Sequence, residues 1–179
     1  MILFGLTVAM TGTRTRIALQ IRRNPGTHFS EIVRSLEFAP GQIQYHVHRL
    51  LDQDEIVREQ LYGRTHYYPP EFDEWERGTL ALFRRETSRD ILGYLLEYGR
   101  QKPQRVADDL DIARSTLEWH LGHLVEMDVI TKERNEQNHV TLVVSHPERT
   151  RELLRDISPS IPDRFVDRFT RLVDNLLAE

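Results

Sequence analysis

The 179-residue chain has no cysteine and only two lysines, Lys102 and Lys132, among its 24 basic residues. Without cysteine there can be no disulfide framework, thiol nucleophile, cysteine zinc site or iron–sulfur cluster. The excess of arginine over lysine reads as genomic composition rather than function. Long apolar runs are also missing. The longest, Ile2 to Met10, is far short of the roughly 20 residues that cross a bilayer. No basic residue precedes it, as one would in a secretory signal. A cytoplasmic protein with no membrane partner is therefore expected. There is no glycine-rich phosphate loop, no Gly-x-Ser-x-Gly elbow and no His-Glu-x-x-His helix. The expectation is a non-enzyme with no catalytic residues and no cofactor. What is present is 39% hydrophobic and 29% charged residues, enough apolar material for one large domain or two small ones.

The chain repeats itself. Slid over itself by 74 positions, it aligns without gaps. Ile17-Ala18-Leu19 falls on Ile91-Leu92-Gly93, Ile32-Val33 on Val106-Ala107, and Leu36 on Leu110. Ile43, Tyr45, His46, Val47 and Leu50 fall on Leu117, Trp119, His120, Leu121 and Leu124, and Asp54 and Ile56 on Asp128 and Ile130. Apolar positions coincide while polar ones differ, which predicts two copies of one fold with different surfaces.

In the first copy, Ile17, Leu19 and Ile21 lie in a predicted helix from about Thr13 to Arg23, ended by Asn24-Pro25-Gly26. Thr27-His28-Phe29 is predicted extended, and Ser30 is the expected N-cap of a second helix. A third helix is predicted from Pro40 to Gln53, with Ile43, Val47, Leu50 and Leu51 at helical spacing. Strands at Ile56–Leu61 and His66–Tyr68 flank an expected tight turn at Tyr62–Thr65. The second copy repeats the order: helices from about Ser88 to Tyr98, from Pro103 to about Leu110, and from a Ser115 cap through Met127. Strands at Val129–Arg134 and Val140–Val144 then enclose a polar loop, Asn135–Asn138. The fold class is mainly α with small β-hairpins (α+β), in two tandem three-helix-plus-hairpin units followed by C-terminal helices. The expected boundaries are an apolar segment at 1–12, a first domain at 13–70, a connector helix at 71–87, a second domain at 88–146 and terminal helices at 147–179.

Three stretches, Phe29-Ser30-Glu31-Ile32, Gly41-Gln42-Ile43-Gln44-Tyr45-His46-Val47-His48-Arg49-Leu50 and Gly63-Arg64-Thr65-His66-Tyr67-Tyr68, resemble archaeal winged helix-turn-helix transcription regulators of the ArsR/MarR-like group. Arg114 to Leu121 and Val129 to Glu133 are similar to the same group, so the resemblance covers about residues 14–144. It implies sequence-specific binding of double-stranded DNA, generally as a homodimer, with the third helix in the major groove and the wing on the flanking backbone. Metal-sensing ArsR members use cysteine ligands, and this chain has none.

Since Ile43, Val47 and Leu50 fix the buried stripe of the third helix, Gln42, Gln44, Tyr45, His48 and Arg49 are the base-reading candidates. Glutamine pairs with adenine and arginine with guanine. Residues near the helix start usually reach the bases, which favours Gln42 and Gln44. In the hairpin, Arg58, Arg64 and Thr65 suit phosphate or minor-groove contact. In the second copy Arg114, Ser115, Thr116 and Lys132 are usable, but Glu118 replaces Gln44, and Asp108, Asp109 and Asp111 crowd the preceding helix. Residues 1–70 carry eight basic and six acidic side chains, residues 71–150 eleven and sixteen. Only the first copy has a favourable sign for a polyanion. The second copy is expected to bind weakly, hold a partner subunit, or contact a protein of the transcription machinery.

His46 and His120 fall at equivalent positions and read as packing residues. His120 and His123 lie within reach of a shared ion, but no carboxylate is placed as a third ligand, so no metal is expected. A final helix carries Phe165, Phe169, Leu172 and Leu176 on one side, opposite Arg164, Asp167, Arg168, Arg171 and Asp174. This stripe is the dimerisation candidate, with packing on its own domain as the alternative. Ile2 to Met10 leaves three readings open: an added strand or helix in an interface, sequence upstream of a start at Met10, or a shortened membrane anchor.

Overall fold

A computed structural model describes residues 12–157, the last two by backbone alone. The expected final helix, with Phe165, Phe169, Leu172 and Leu176, lies outside the described residues, as does Ile2–Met10. The chain divides into two compact units, Met1–Arg77 and Gly78–Glu179.

In the first unit, α1 (Thr13–Arg23), α2 (Phe29–Ser35) and α3 (Pro40–Asp52) precede an antiparallel hairpin of β1 (Val57–Leu61) and β2 (Arg64–Tyr68). Ile17 and Ile21 of α1, one turn apart, are fully buried and meet Ile32, Ile43, Val47, Leu50 and Ile56 in one core. Leu19, between them in sequence, points outward and is 39% exposed, because successive helical residues turn by about 100°. Pro40 opens α3 in the first turn, where its missing N–H costs nothing.

The structure corrects three local expectations. The residue before α2 is His28 rather than Ser30. The Glu31 carboxylate accepts the His28 backbone N–H at 2.9 Å and the Thr27 hydroxyl at 3.0 Å, so the helix starts earlier and Ser30 lies inside it. Of the extended stretch at Thr27–Phe29, only Thr27 pairs, in a single bridge to Tyr67. The wing turn is also tighter than expected. Leu61 pairs with Arg64, leaving Tyr62 and Gly63 alone in the loop with φ of 52° and 77°. Two consecutive positive φ values define a type I′ turn, whose twist matches that of the strands it joins.

The second unit begins inside α4 (Glu74–Phe83), which lies in the expected connector, and continues with α5 (Glu86–Tyr98), α6 (Pro103–Asp109) and α7 (Arg114–Glu126). Strands β3 (Ile130–Arg134) and β4 (Val140–Val144) form the second antiparallel hairpin, and α8 (Pro147–Ile157) follows. Ile91, Leu92, Val106, Leu117, Leu121, Leu124, Val129 and Leu142 are fully buried. Gly78 in α4 has a packing reason: a Cβ there would stand 2.0 Å from Met127 Cε. Ser115, like Ser30, is not a cap. Ala113 precedes α7 and Arg114 is its first residue. The second loop runs from 135 to 139, and the Asn135 side-chain oxygen accepts the N–H groups of Gln137 and His139. Both units therefore have the helix–helix–helix–hairpin order of a winged helix.

Candidate nucleic-acid interface

Burial of Ile43, Val47 and Leu50 turns the opposite side of α3 to solvent. Gln42, Gln44, Tyr45, His48 and Arg49 are all exposed there, Tyr45 at 61%. They are not equally available. The Gln42 amide donates to Thr13 Oγ1 at 3.2 Å, which ties it to the start of α1. Tyr45 rests edge-on against the neighbouring His46 ring. The side chains of Gln44, His48 and Arg49 make no hydrogen bond or ion pair among the described residues.

Strand alternation and the two-residue turn expose Arg58, Arg64 and Thr65 in the wing. Neither Arg58 nor Arg64 is ion-paired with a carboxylate among the described residues. The hydroxyl of buried Tyr67, opposite Arg58, has its pKa raised by burial, with the nearby guanidinium partly opposing the shift. The wing is fastened at its base by two histidines. His66 is buried, and its Nδ1 lies 2.8 Å from the Gly26 carbonyl oxygen. His28 Nδ1 lies 3.1 Å from the Thr65 carbonyl oxygen, and the two rings are 4.3 Å apart. Either contact to a carbonyl requires Nδ1 to carry the proton. The sequence reading did not assign these histidines a role, because their partners lie 37 and 40 residues away in the chain. The pairing of Thr27 with Tyr67 completes the seam. Arg77 bridges to Glu59 and donates to the Phe72 carbonyl at 2.6 Å, which holds the far side of the hairpin.

The matching surface of the second unit is chemically different. Arg114, Ser115, Thr116 and Lys132 are exposed, as expected, but both cations are engaged. Lys132 Nζ lies 2.7 Å from Glu118 Oε2, and Arg114 Nε lies 3.4 Å from Glu118 Oε1. Arg114 also donates to Gln104 Oε1 at 3.0 Å. The Lys132 hydrogen bond is the largest influence holding the Glu118 carboxyl below its ordinary pKa. Trp119, at the position of Tyr45, is 49% exposed and has the Arg85 guanidinium 4.9 Å above its ring. His120 is buried, with Nδ1 2.8 Å from Ser88 Oγ. Burial lowers its pKa, and Arg85 and His123 lower it further. Among the described residues no group of three or more His, Asp or Glu side chains is placed to hold a metal ion.

A family model described as an N-terminal HTH domain matches residues 11–80. Another, described as winged helix-turn-helix DNA-binding, matches residues 84–131. The chain thus carries two helix-turn-helix domains in tandem. It is similar to an uncharacterized HTH-type transcriptional regulator of Methanocaldococcus jannaschii, with 27% identity over 139 residues. That alignment covers 77% of this chain and 34% of the relative, so the chain spans about a third of that protein. Among solved structures, disulfide-formed AbfR gives a TM-score of 0.40 at 18% identity, covering 75% of this chain and 81% of that one. Overoxidized AbfR bound to DNA gives 0.42 at 15% identity, covering 77% and 92%.

Proposed function

We propose that this protein is a DNA-binding transcription regulator that reads duplex DNA with α3 and the wing of its first unit. One observation carries the reading: Gln44, Arg49, Arg58 and Arg64 stand exposed and uncommitted on the helix and hairpin that a winged helix offers to DNA. Gln44 suits adenine in the major groove, and Arg58 and Arg64 suit the phosphates beside it. The two helix-turn-helix matches and the relative's description as a transcriptional regulator support this reading. The protein acts as a homodimer in the cytoplasm, needs no cofactor and has no catalytic activity. Its dimer seam is the stripe of Phe165, Phe169, Leu172 and Leu176. Fluorescence anisotropy against duplexes from its own promoter region tests the proposal. The expected result is a sequence preference that weakens with salt, and lower affinity for Arg64→Ala. No preference, together with an inert Arg64→Ala, would contradict it.

The engagement of Arg114 and Lys132 by Glu118 favours a second reading, in which the protein is an adaptor contacting the transcription machinery without reading sequence. A machinery protein retained on the chain after nuclease treatment would support the adaptor, and loss of every partner with nuclease would count against it.

A further inference from the structure

The triad of Arg114, Glu118 and Lys132 joins two elements. Arg114 and Glu118 sit one turn apart on α7, and Lys132 reaches them from β3. Two cations converging on one pair of oxygens from a helix start and a wing strand form the kind of site that holds a phosphate in duplex binding. Here the anion is covalently part of the site. The repeat shows what changed: Glu118 stands where the first copy has Gln44, and Lys132 where it has Arg58.

We propose that the second unit is a DNA-binding surface silenced by Glu118, whose carboxylate occupies the Arg114–Lys132 pair in place of a backbone phosphate. The inference rests on the reading of the first unit as a DNA binder, because it takes that unit as the working form of the same surface. The acidic neighbours do not account for the silence equally well, since none of them contacts Arg114 or Lys132 and two, Asp109 and Glu133, are paired with other arginines. Asp108 accepts from Gln104 Nε2 at 2.7 Å, Asp109 is paired with Arg105 and the Tyr94 hydroxyl, and Glu133 is paired with Arg100. Glu118 is the carboxylate that takes both Arg114 and Lys132.

The test is the salt dependence of full-chain binding to a mixed-sequence duplex, followed by anisotropy from about 50 to 200 mM salt. Wild type, Glu118→Gln and Glu118→Ala are compared, with melting curves to verify folding. Each phosphate contact adds about 0.9 to the slope of log affinity against log salt. Two freed cations therefore steepen it by about 1.8 in both variants. Adding Arg114→Ala and Lys132→Ala to Glu118→Gln returns the slope to the wild-type value. Glu118→Ala excludes base reading by the new amide as the cause. If wild type binds and neither variant steepens the slope, silencing by Glu118 is overturned while the first-unit reading stands. If only the Glu118 variants bind, the first-unit reading falls and silencing survives. If no form binds, both fall.

Discussion

Position 44 carries an amide and position 118 a carboxylate, and that exchange separates the two helix faces. An amide can donate and accept toward adenine, whereas a carboxylate repels phosphate and attracts the protein's own cations. Gln44→Ala should cost about 1–3 kcal/mol of discrimination at one A·T pair, with the salt slope unchanged. Competition titrations with single-base operator variants would measure it, and uniform weakening across all sequences would oppose the base-reading role. Arg64→Ala should do the reverse, making the slope shallower by about 0.9 while leaving base preference intact. His120 gives a prediction about stability. Its folded pKa is lowered, first by burial, so the unfolded chain takes up the proton first on acidification. The stabilisation is complete above histidine's ordinary pKa of about 6.5 and is lost as pH falls below it. Denaturant melts should show that acid loss, reduced in His120→Gln. At this scale the sequence was informative about which residues face outward, since three apolar positions set the helix rotation. It did not show that Thr13 holds Gln42 or that Glu118 binds Lys132, because those partners are distant in the chain.

The helices were legible from apolar residues at helical spacing, and the hairpins from short β-prone runs flanking polar or glycine-containing turns. Their ends were less so. Ser30 and Ser115 have good capping chemistry, yet α2 begins earlier, where Glu31 binds the backbone of His28, and α7 begins at Arg114. In the wing, Arg64 and Thr65 look like turn residues but belong to β2, which brings both into the paired hairpin. That geometry depends on Gly63, whose φ of 77° is open to glycine at little cost and whose Cβ position meets no neighbouring atom. Gly63→Val therefore imposes only backbone strain, roughly 1–2 kcal/mol. Thermal melts should show a modest fall in the first unit's stability, and DNA affinity should drop as Arg64 loses its placement. Unchanged affinity with a lowered melting point would separate the wing from DNA contact.

Across the whole molecule, one apolar pattern recurs at a spacing of 74 residues while the polar positions differ, so one fold carries two different surfaces. Charge made the division readable in advance: the first copy is net positive and the region from 71 to 150 net negative. The ion-pair triad around Glu118 adds a local cause that net charge alone does not contain. The proposed dimer seam gives a prediction at this scale. Phe165→Asp with Phe169→Asp should convert a dimer to a monomer in sedimentation equilibrium. An unchanged mass would place that stripe against its own domain. The most direct test of the central proposal is hydrogen–deuterium exchange with and without a saturating operator duplex. Exchange should slow over residues 40–53 and 57–68, with the equivalent segments 114–126 and 130–144 unaffected. Protection confined to the second unit, or none at saturation, would contradict it.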